Sequence, residues 1–308
     1  MSSPNDFVGD PETFYYKKTL DSRLRGNDSG RNMKNLDTLI DLALAEDIST
    51  GDITTLACVS EKTLATASIR SKESIVVCGI EIAQKVFQKI DPNLDFQIKS
   101  TDGTSAKAGD ILATISGKAR SLLSGERTAL NFMQHLSGIA TLTSSFIKTL
   151  NNSKTKILDT RKTIPGWREL EKYAVKIGGG TNHRIGLFDH FLIKNNHITA
   201  AGSISKALAL AHSHWKPEQK IEIEVRSTEE VKEALEGNPD IIMLDNMSPS
   251  QAKETIDLIS GKTKTEISGN MTLNKISDYT NLGADFISVG ALTHSAKAAD
   301  IHMLIEIL

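Results

Sequence analysis

The sequence predicts an α/β protein in which a smaller N-terminal α+β domain precedes an irregular, TIM-like β/α barrel. The chain has 308 residues, of which 39% are hydrophobic, and this is enough for a barrel-sized domain and a smaller partner. From about residue 121, short apolar runs alternate with amphipathic segments, a pattern typical of a parallel sheet covered by helices. The number of these units favours closure of the sheet into a barrel.

The N-terminal residues do not fit this pattern. They contain prolines, glycines and a polar run without usable periodicity, and they lack the apolar centre of a secretory signal. We therefore expect residues 1–32 to be a disordered extension. Met33 would make a natural start, because a helical pattern opens at Leu36.

Residues 33–120 are predicted to form the α+β domain. After the first helix, two strands are predicted at 64–70 and 75–78. A helix with an apolar face begins near Glu81, and a further strand follows at 111–115.

The barrel is predicted to occupy residues 121–299, and two helices, at 121–136 and 138–150, lead into it. Its strands are predicted at 157–158, 191–193, 221–225, 241–244, 266–267 and 286–289. The helices between them are predicted near 167–177, 203–212, 228–235, 249–260 and 273–282. Residues 300–308 are predicted to return to the N-terminal domain, as a paired strand or as a short helix.

Composition excludes several classes of protein. The two cysteines, Cys58 and Cys78, are too few for a disulfide framework or a zinc cluster, so a reducing, cytoplasmic setting is expected. A net charge of −2 argues against nonspecific nucleic-acid binding. No apolar run approaches the roughly 18 residues that a membrane helix needs, so we expect no membrane association.

A local excess of positive charge lies between Arg161 and Lys194. This stretch contains seven basic residues (161, 162, 168, 172, 176, 184 and 194) against three acidic ones (169, 171 and 189). Basic residues spaced by glycines predict a site for a small, multiply anionic substrate. Arg168, Lys172 and Lys176 are interpreted separately, as the solvated face of a helix.

Polar residues follow the predicted strands, and barrel sites form at the carboxyl ends of strands. Alternation in Ile221–Val225 places Glu222 and Glu224 in the lumen. Glu224 and Asp245, on adjacent strands, suit a magnesium ion, and the glycine turns after the last two strands suit a phosphate. These features together favour a phosphorylated sugar and an anionic co-substrate.

Each feature also has a structural interpretation. The glycines at 178–180 could cap the preceding helix, and Asp245 could cap the following one. His183 is expected to orient a neighbour by hydrogen bonding rather than to bind a metal. Lys162 or Lys194 could form a Schiff base, as in an aldolase-like barrel. The coincidence of these residues at one rim favours a functional site.

Residues 36–308 resemble the quinolinate phosphoribosyltransferases, also called nicotinate-nucleotide pyrophosphorylases (carboxylating). The matching motifs are Glu46-Asp47 with Gly51-Asp52-Ile53-Thr54, Gly125-Glu126-Arg127-Thr128-Ala129-Leu130-Asn131, Ser137-Gly138-Ile139-Ala140-Thr141, Asp159-Thr160-Arg161-Lys162-Thr163, 178–184, Ile193-Lys194 with Asn196-His197, 222–225, Leu244-Asp245-Asn246, Ser268-Gly269-Asn270 and 288–294. Asn195 departs from the acid that many relatives carry at this position, where the family varies.

The resemblance implies transfer of a phosphoribosyl group from phosphoribosyl pyrophosphate to quinolinate, with decarboxylation. The products would be nicotinate mononucleotide, pyrophosphate and CO2, in de novo NAD biosynthesis. The residues implied for quinolinate are Thr160, Arg161, His183, Arg184 and Lys194, with Arg127 donated by the neighbouring subunit of a homodimer or of a hexamer. The residues implied for the phosphoribosyl donor are Lys162, Glu224 and Asp245, which are also the catalytic residues, and Ser268, Gly269, Asn270, Ser288, Val289 and Gly290.

The same resemblance implies Mg²⁺ bound by Glu224 and Asp245. Two alternatives stay open: a related phosphoribosyltransferase acting on another anionic acceptor, and a non-catalytic phosphosugar-binding barrel. Arg127, Arg161 and Arg184 together suit a dicarboxylate, and a non-catalytic barrel would be expected to lose an acid or Lys162.

Overall fold

The computed structural model describes residues 33–151 and 154–308. Residues 1–32, where we expect a disordered extension, lie outside this described part. Within it, a small antiparallel sheet precedes a six-stranded parallel sheet, and the predicted fold class is confirmed. No helix in the described ranges has both the length and the apolar character that a membrane span requires.

The described chain begins with the α+β domain. Its helices are α1 (Leu36–Ile48), α2 (Ile53–Cys58) and α3 (Ile80–Ile90), and its strands are β1 (Leu64–Ser71), β2 (Ile75–Val76), β3 (Asp95–Ile98), β4 (Ser105–Ala106) and β5 (Ile111–Lys118). In β1 every second side chain is buried, and this period of two turns Ala65, Ala67 and Ile69 into the core. The apolar stripe of α3 adds Val86 and Phe87 to the same core.

The prediction of two helices at 121–136 and 138–150 is wrong, because a single helix, α4 (Ala119–Thr149), runs through both. Gly138 lies inside it rather than at an end. A Cβ at Gly138 would lie 2.2 Å from the carbonyl oxygen of Lys297. Only glycine therefore allows the backbone near Lys297 to pack this closely against α4. This packing offsets the cost of a glycine inside a helix, which is about 1 kcal/mol.

The barrel elements follow α4 in regular alternation. The strands are β6 (Lys156–Leu158), β7 (Phe191–Ile193), β8 (Ile221–Val225), β9 (Ile241–Asp245), β10 (Lys264–Ser268) and β11 (Phe286–Ser288). The helices are α5 (Arg168–Ile177), α6 (Asn195–Ala201), α7 (Ile204–His214), α8 (Thr228–Glu236), α9 (Pro249–Ile259), α10 (Leu273–Ile276) and α11 (Ala291–His294). Strand β12 (Ile301–Ile307) comes last.

The barrel sheet has the order β6-β11-β10-β9-β8-β7, and every ladder in it is parallel. Within the described ranges no ladder joins β7 to β6, so hydrogen bonding does not close the ring as expected. Thr181, which follows α5, makes only an isolated bridge to Leu158. The segment that would complete the ring is a loop, and this irregularity brings His183 and Arg184 to the strand ends.

The C-terminal residues form a strand rather than a helix. β12 pairs antiparallel with β1, from Ser71 opposite Ile301 to Ala65 opposite Ile307. The N-terminal sheet therefore has the order β12-β1-β5-β3.

Candidate active site

A cavity of about 770 Å³ lies at the carboxyl ends of the barrel strands. Most of the predicted site residues line it, namely Thr160, Arg161, Lys162, His183, Arg184, Lys194, Glu224, Asp245, Ser268, Gly269, Asn270, Ser288 and Gly290. Two predicted residues do not. Val289 is fully buried in the core, and Arg127 is exposed on α4, away from the cavity lining.

Two guanidinium groups share one side of the cavity. Arg184 is 7% exposed, and its Nη1 donates to the carbonyl oxygen of His190 at 3.1 Å. Burial, and then the positive charge of Arg161, lowers the pKa of Arg184. The buried Nε atoms of both arginines have no hydrogen-bond partner within the described chain. Two close cations with unused donors form a site that an anion would stabilise.

The expectation that Lys172 belongs to a solvated helix face is wrong. Lys172 is 3% exposed, and its ammonium donates to the fully buried carboxylate of Asp159 at the end of β6. Arg168, one turn earlier, is half-buried and donates to Thr163 Oγ1 at 3.0 Å. Of this set, Lys176 alone is exposed. The face turns inward because a buried acid on the neighbouring strand offers the lysine a partner.

His183, Glu222 and Glu266 meet at the floor of the barrel. The Nε2 atom of His183 lies 3.0 Å from a carboxylate oxygen of Glu222 and 3.7 Å from one of Glu266. One ring nitrogen of His183 and one carboxylate oxygen of each glutamate all lie within 4.8 Å of one another, close enough to share a metal ion.

The imidazole orientation argues against a metal at this cluster. Nδ1 of His183 accepts a hydrogen bond from the backbone N–H of Arg184 at 2.7 Å. In a neutral ring the proton is then on Nε2, the atom that faces Glu222, and a protonated nitrogen cannot ligate a metal. The geometry supports hydrogen bonding as the role of His183.

Burial favours the protonated form of both glutamates, and more strongly for Glu266 than for Glu222. Burial, and then the charge of Glu222, raises the pKa of Glu266 to about 8. Burial also raises the pKa of Glu222 to about 7, and it lowers the pKa of His183. Glu266 was not among the predicted site residues. The sequence does indicate this position, because alternation along β10 places Glu266 on the same face of the strand as Ser268.

Glu224 and Asp245 lie at the ends of neighbouring strands, β8 and β9. Burial, and then the negative charge of Asp245, raises the pKa of Glu224. Asn195 donates from Nδ2 to Glu224 Oε1 at 2.8 Å. The amide at position 195 therefore donates to this carboxylate, which an acid at the same position would repel.

The turn after β10 is shaped by left-handed backbone. Gly269 has φ +124° and Asn270 has φ +44°, and a Cβ on Gly269 would lie 2.4 Å from Asn246 Oδ1. Gly290 begins the corresponding turn after β11, close to the side chain of Lys162. In both turns the backbone itself borders the cavity, as expected for phosphate binding through main-chain N–H groups.

The fold and the cavity define a class of protein, a β/α barrel whose strand ends carry clustered cations, a carboxylate pair and glycine turns for anionic ligands. Comparisons with known proteins identify the family. The model for the quinolinate phosphoribosyl transferase C-terminal domain matches residues 139–304, and that for the N-terminal domain matches residues 52–137. The two matches meet inside α4.

Relatives cover nearly the whole described chain. A probable nicotinate-nucleotide pyrophosphorylase [carboxylating] of Bacillus subtilis is 41% identical over 87% of this chain and 92% of its own length. A chloroplastic nicotinate-nucleotide pyrophosphorylase [carboxylating] of Arabidopsis thaliana is 42% identical, over 88% of this chain and 83% of its own. The structure of NadC from Streptococcus pyogenes matches with a TM-score of 0.87 and 41% identity, covering 92% of this chain and 100% of that one. The chain belongs to the quinolinate phosphoribosyltransferase family.

Proposed function

We propose that the protein transfers the phosphoribosyl group of phosphoribosyl pyrophosphate to quinolinate, with decarboxylation, in de novo NAD biosynthesis. The observation that carries the proposal is the pair of arginines. Burial, and then the charge of Arg161, lowers the pKa of Arg184, and both side chains keep buried, unused donors. A planar dicarboxylate satisfies two guanidinium groups, whereas a monocarboxylate such as nicotinate offers one group.

The cavity residues divide between the two substrates. Thr160, Arg161, Arg184 and Lys194 surround the acceptor, and His183 orients the loop that carries Arg184. Lys162, Glu224 and Asp245 face the donor, with Ser268, Gly269, Asn270, Ser288 and Gly290 around its 5′-phosphate. The N–H of Val289 donates to the carbonyl oxygen of Leu158 at 2.9 Å, so Val289 supports the second turn rather than the phosphate itself.

The chemistry requires positioning and charge rather than strong acid–base catalysis. The bond from the ribosyl C1 atom to pyrophosphate breaks as the pyridine nitrogen attacks C1, so negative charge builds on the departing oxygens near Lys162. The nitrogen becomes quaternary and the ring becomes an electron sink. The C2 carboxylate then leaves as CO2, and the resulting ring carbanion takes a proton.

We propose Mg²⁺ as the cofactor, held by Glu224 and Asp245. Hard dications prefer oxygen ligands, and the neighbouring carboxylates of Glu224 and Asp245 offer them, with burial and then the charge of Asp245 raising the pKa of Glu224. When bound, the ion supplies positive charge to pyrophosphate oxygens.

We further propose a homodimer in which Arg127 completes the cavity of the neighbouring subunit. Arg127 is exposed and stands apart from the cavity of its own chain. Near it, α2 exposes Ile53 and Leu56, and near the cavity Leu187 and Phe188 are 72% and 67% exposed. Exposed apolar surface of this kind is typical of subunit contacts. A hexamer built from such dimers is compatible with these surfaces.

The proposed location is the cytoplasm. It rests on the thiols: Cys58 and Cys78 are both free, as expected in a reducing compartment.

The substrate assignment is tested by incubating the protein with quinolinate, phosphoribosyl pyrophosphate and magnesium. We expect CO2, pyrophosphate and nicotinate mononucleotide in equal amounts, and no reaction when the donor or the metal is omitted. Turnover of nicotinate but not quinolinate would favour a phosphoribosyltransferase for another acceptor. Binding of the donor without turnover of any acid would favour a non-catalytic barrel.

A further inference from the structure

We propose that Asp159 and Lys172 are positioning residues that set the acceptor-binding loop, and that they control the affinity for the dicarboxylate without touching it. The inference rests on the proposed function, since it assigns Arg184 to the acceptor. Asp159 is fully buried and Lys172 is 3% exposed, so the pair lies behind the cavity wall rather than on its surface.

The pair binds both backbone polar groups of His183. Oδ1 of Asp159 accepts from the His183 N–H at 2.8 Å, and Nζ of Lys172 donates to the His183 carbonyl oxygen at 3.0 Å. The lysine also donates to Oδ1 of Asp159. One ion pair therefore fixes the orientation of the peptide groups on both sides of His183.

Asn182 connects the same pair to the preceding residue. Its Nδ2 donates to Asp159 Oδ2 at 2.5 Å and to the backbone carbonyl oxygen of Lys172 at 2.8 Å. Within the described residues, this loop makes no strand pairing other than the isolated bridge at Thr181. The buried side chains therefore replace the missing strand hydrogen bonds.

The conformation of this loop determines where the Arg184 side chain lies in the cavity. The backbone N–H of Arg184 donates to Nδ1 of His183, and the guanidinium of Arg184 donates to the carbonyl oxygen of His190. The direction in which Arg184 points therefore depends on the peptide that Asp159 and Lys172 hold. The hydrogen bonds described for Asp159 and Lys172 include none to the donor-side groups on β8 to β11, and Lys162, three residues after Asp159, is the donor-side residue nearest to the pair in sequence.

Removing one charge leaves the other buried and unpaired, which destabilises the fold. Lys172→Met alone is therefore expected to lower the melting temperature. The double variant Asp159→Asn, Lys172→Met removes both charges and is expected to recover most of that loss. Lys176→Met, one turn further along α5 and exposed, is the matched control.

The test compares the Michaelis constants for the two substrates. In the folded double variant we expect KM for quinolinate to rise about tenfold to 100-fold, the effect of a misplacement near 1 Å. We expect a smaller rise in KM for phosphoribosyl pyrophosphate, because within the described residues Glu224, Asp245 and the glycine turns are not hydrogen-bonded to the pair, and we expect Lys176→Met to match wild type. Recovered stability together with a raised quinolinate KM separates positioning from a purely structural role.

A double variant that is stable and keeps the wild-type KM for quinolinate overturns the inference and leaves the proposed function intact. If the wild-type protein itself does not use quinolinate, the proposed function fails. In that case, crystal structures of the wild type and the double variant still test the inference about Asp159 and Lys172. An unmoved peptide at 182–184 refutes it, and a displaced Arg184 guanidinium supports it.

Discussion

At the scale of single residues, burial decides which groups near the cavity carry charge. Burial raises the pKa of Asp159 and lowers that of Lys172, but the attraction and hydrogen bonds between the two oppose both shifts. Glu266 instead faces His183, whose own pKa is lowered by burial, and burial and then the charge of Glu222 raise the pKa of Glu266 to about 8. The same low-dielectric interior thus favours an ion pair in one place and a neutral acid in another.

The neutral acid predicts a pH dependence of stability. Glu266 has a folded pKa of about 8 against an ordinary value of 4.5. Between these pH values the folded chain binds more protons than the unfolded chain, so protonation of Glu266 stabilises the fold. This stabilisation is fully present below pH 4.5 and is lost as the pH rises through about 8.

Glu266→Gln, which cannot ionise, should remove this loss. The unfolding free energy of the variant relative to wild type should increase as the pH rises, by at most about 1.4 kcal/mol per pH unit. Urea titrations across this range measure the difference, and Glu306→Gln, at an exposed position of β12, is the control. Parallel curves for wild type and Glu266→Gln would show that the floor of the barrel holds no such proton.

At the scale of elements, the turns after the strands are as specific as the side chains. β10 ends at Ser268, and the left-handed backbone at Gly269 lets the chain pass against Asn246 after β9. A side chain at Gly269 has no space, because the Asn246 Oδ1 atom would lie 2.4 Å from its Cβ.

Gly269→Ala should therefore raise KM for phosphoribosyl pyrophosphate and lower stability. The matched control is Gly261→Ala, which also has a left-handed φ, +74°, but has nothing within 4 Å of a Cβ. Both variants bear the backbone cost of about 1 kcal/mol, and Gly269→Ala should lose roughly a further 1–3 kcal/mol from overpacking. Equal stability and equal KM in the two variants would contradict a close approach at this turn.

At the scale of the whole molecule, Arg127 is exposed and does not line the cavity of its own chain. If Arg127 completes the cavity of a neighbouring subunit, as proposed, Arg127→Ala and Arg161→Ala should each be nearly inactive as separate preparations, because each lacks one cation at every site. After subunit exchange, half of the dimers are mixed and each mixed dimer has one complete site. About a quarter of wild-type activity should return.

Subunit exchange followed by the quinolinate assay measures this recovery. Mixing Arg127→Ala with the double variant Arg127→Ala, Arg161→Ala is the control, since no combination of those chains contains a complete site. The absence of any recovery in the first mixture, with exchange verified by mass spectrometry, would refute a site shared between subunits.

Local patterns were sufficient for most of the architecture. Alternating apolar runs and amphipathic segments predict the order of strands and helices, and parallel strands necessarily bring their carboxyl ends to one mouth. For this reason the sequence alone assigns Arg161, Lys194, Glu224 and Asp245 to one cavity.

Long-range packing decided the rest. Whether α4 continues through Gly138 depends on the backbone near Lys297, far away in the chain. Whether Lys172 faces solvent depends on Asp159 at the end of another element, and Glu266 acquires its raised pKa only where β8 and β10 bring it near Glu222. The sequence by itself determined which elements form and which residues stand at their ends, because those are properties of neighbouring residues. The tertiary structure decided which faces are buried and which charges are paired, because these depend on contacts between distant segments.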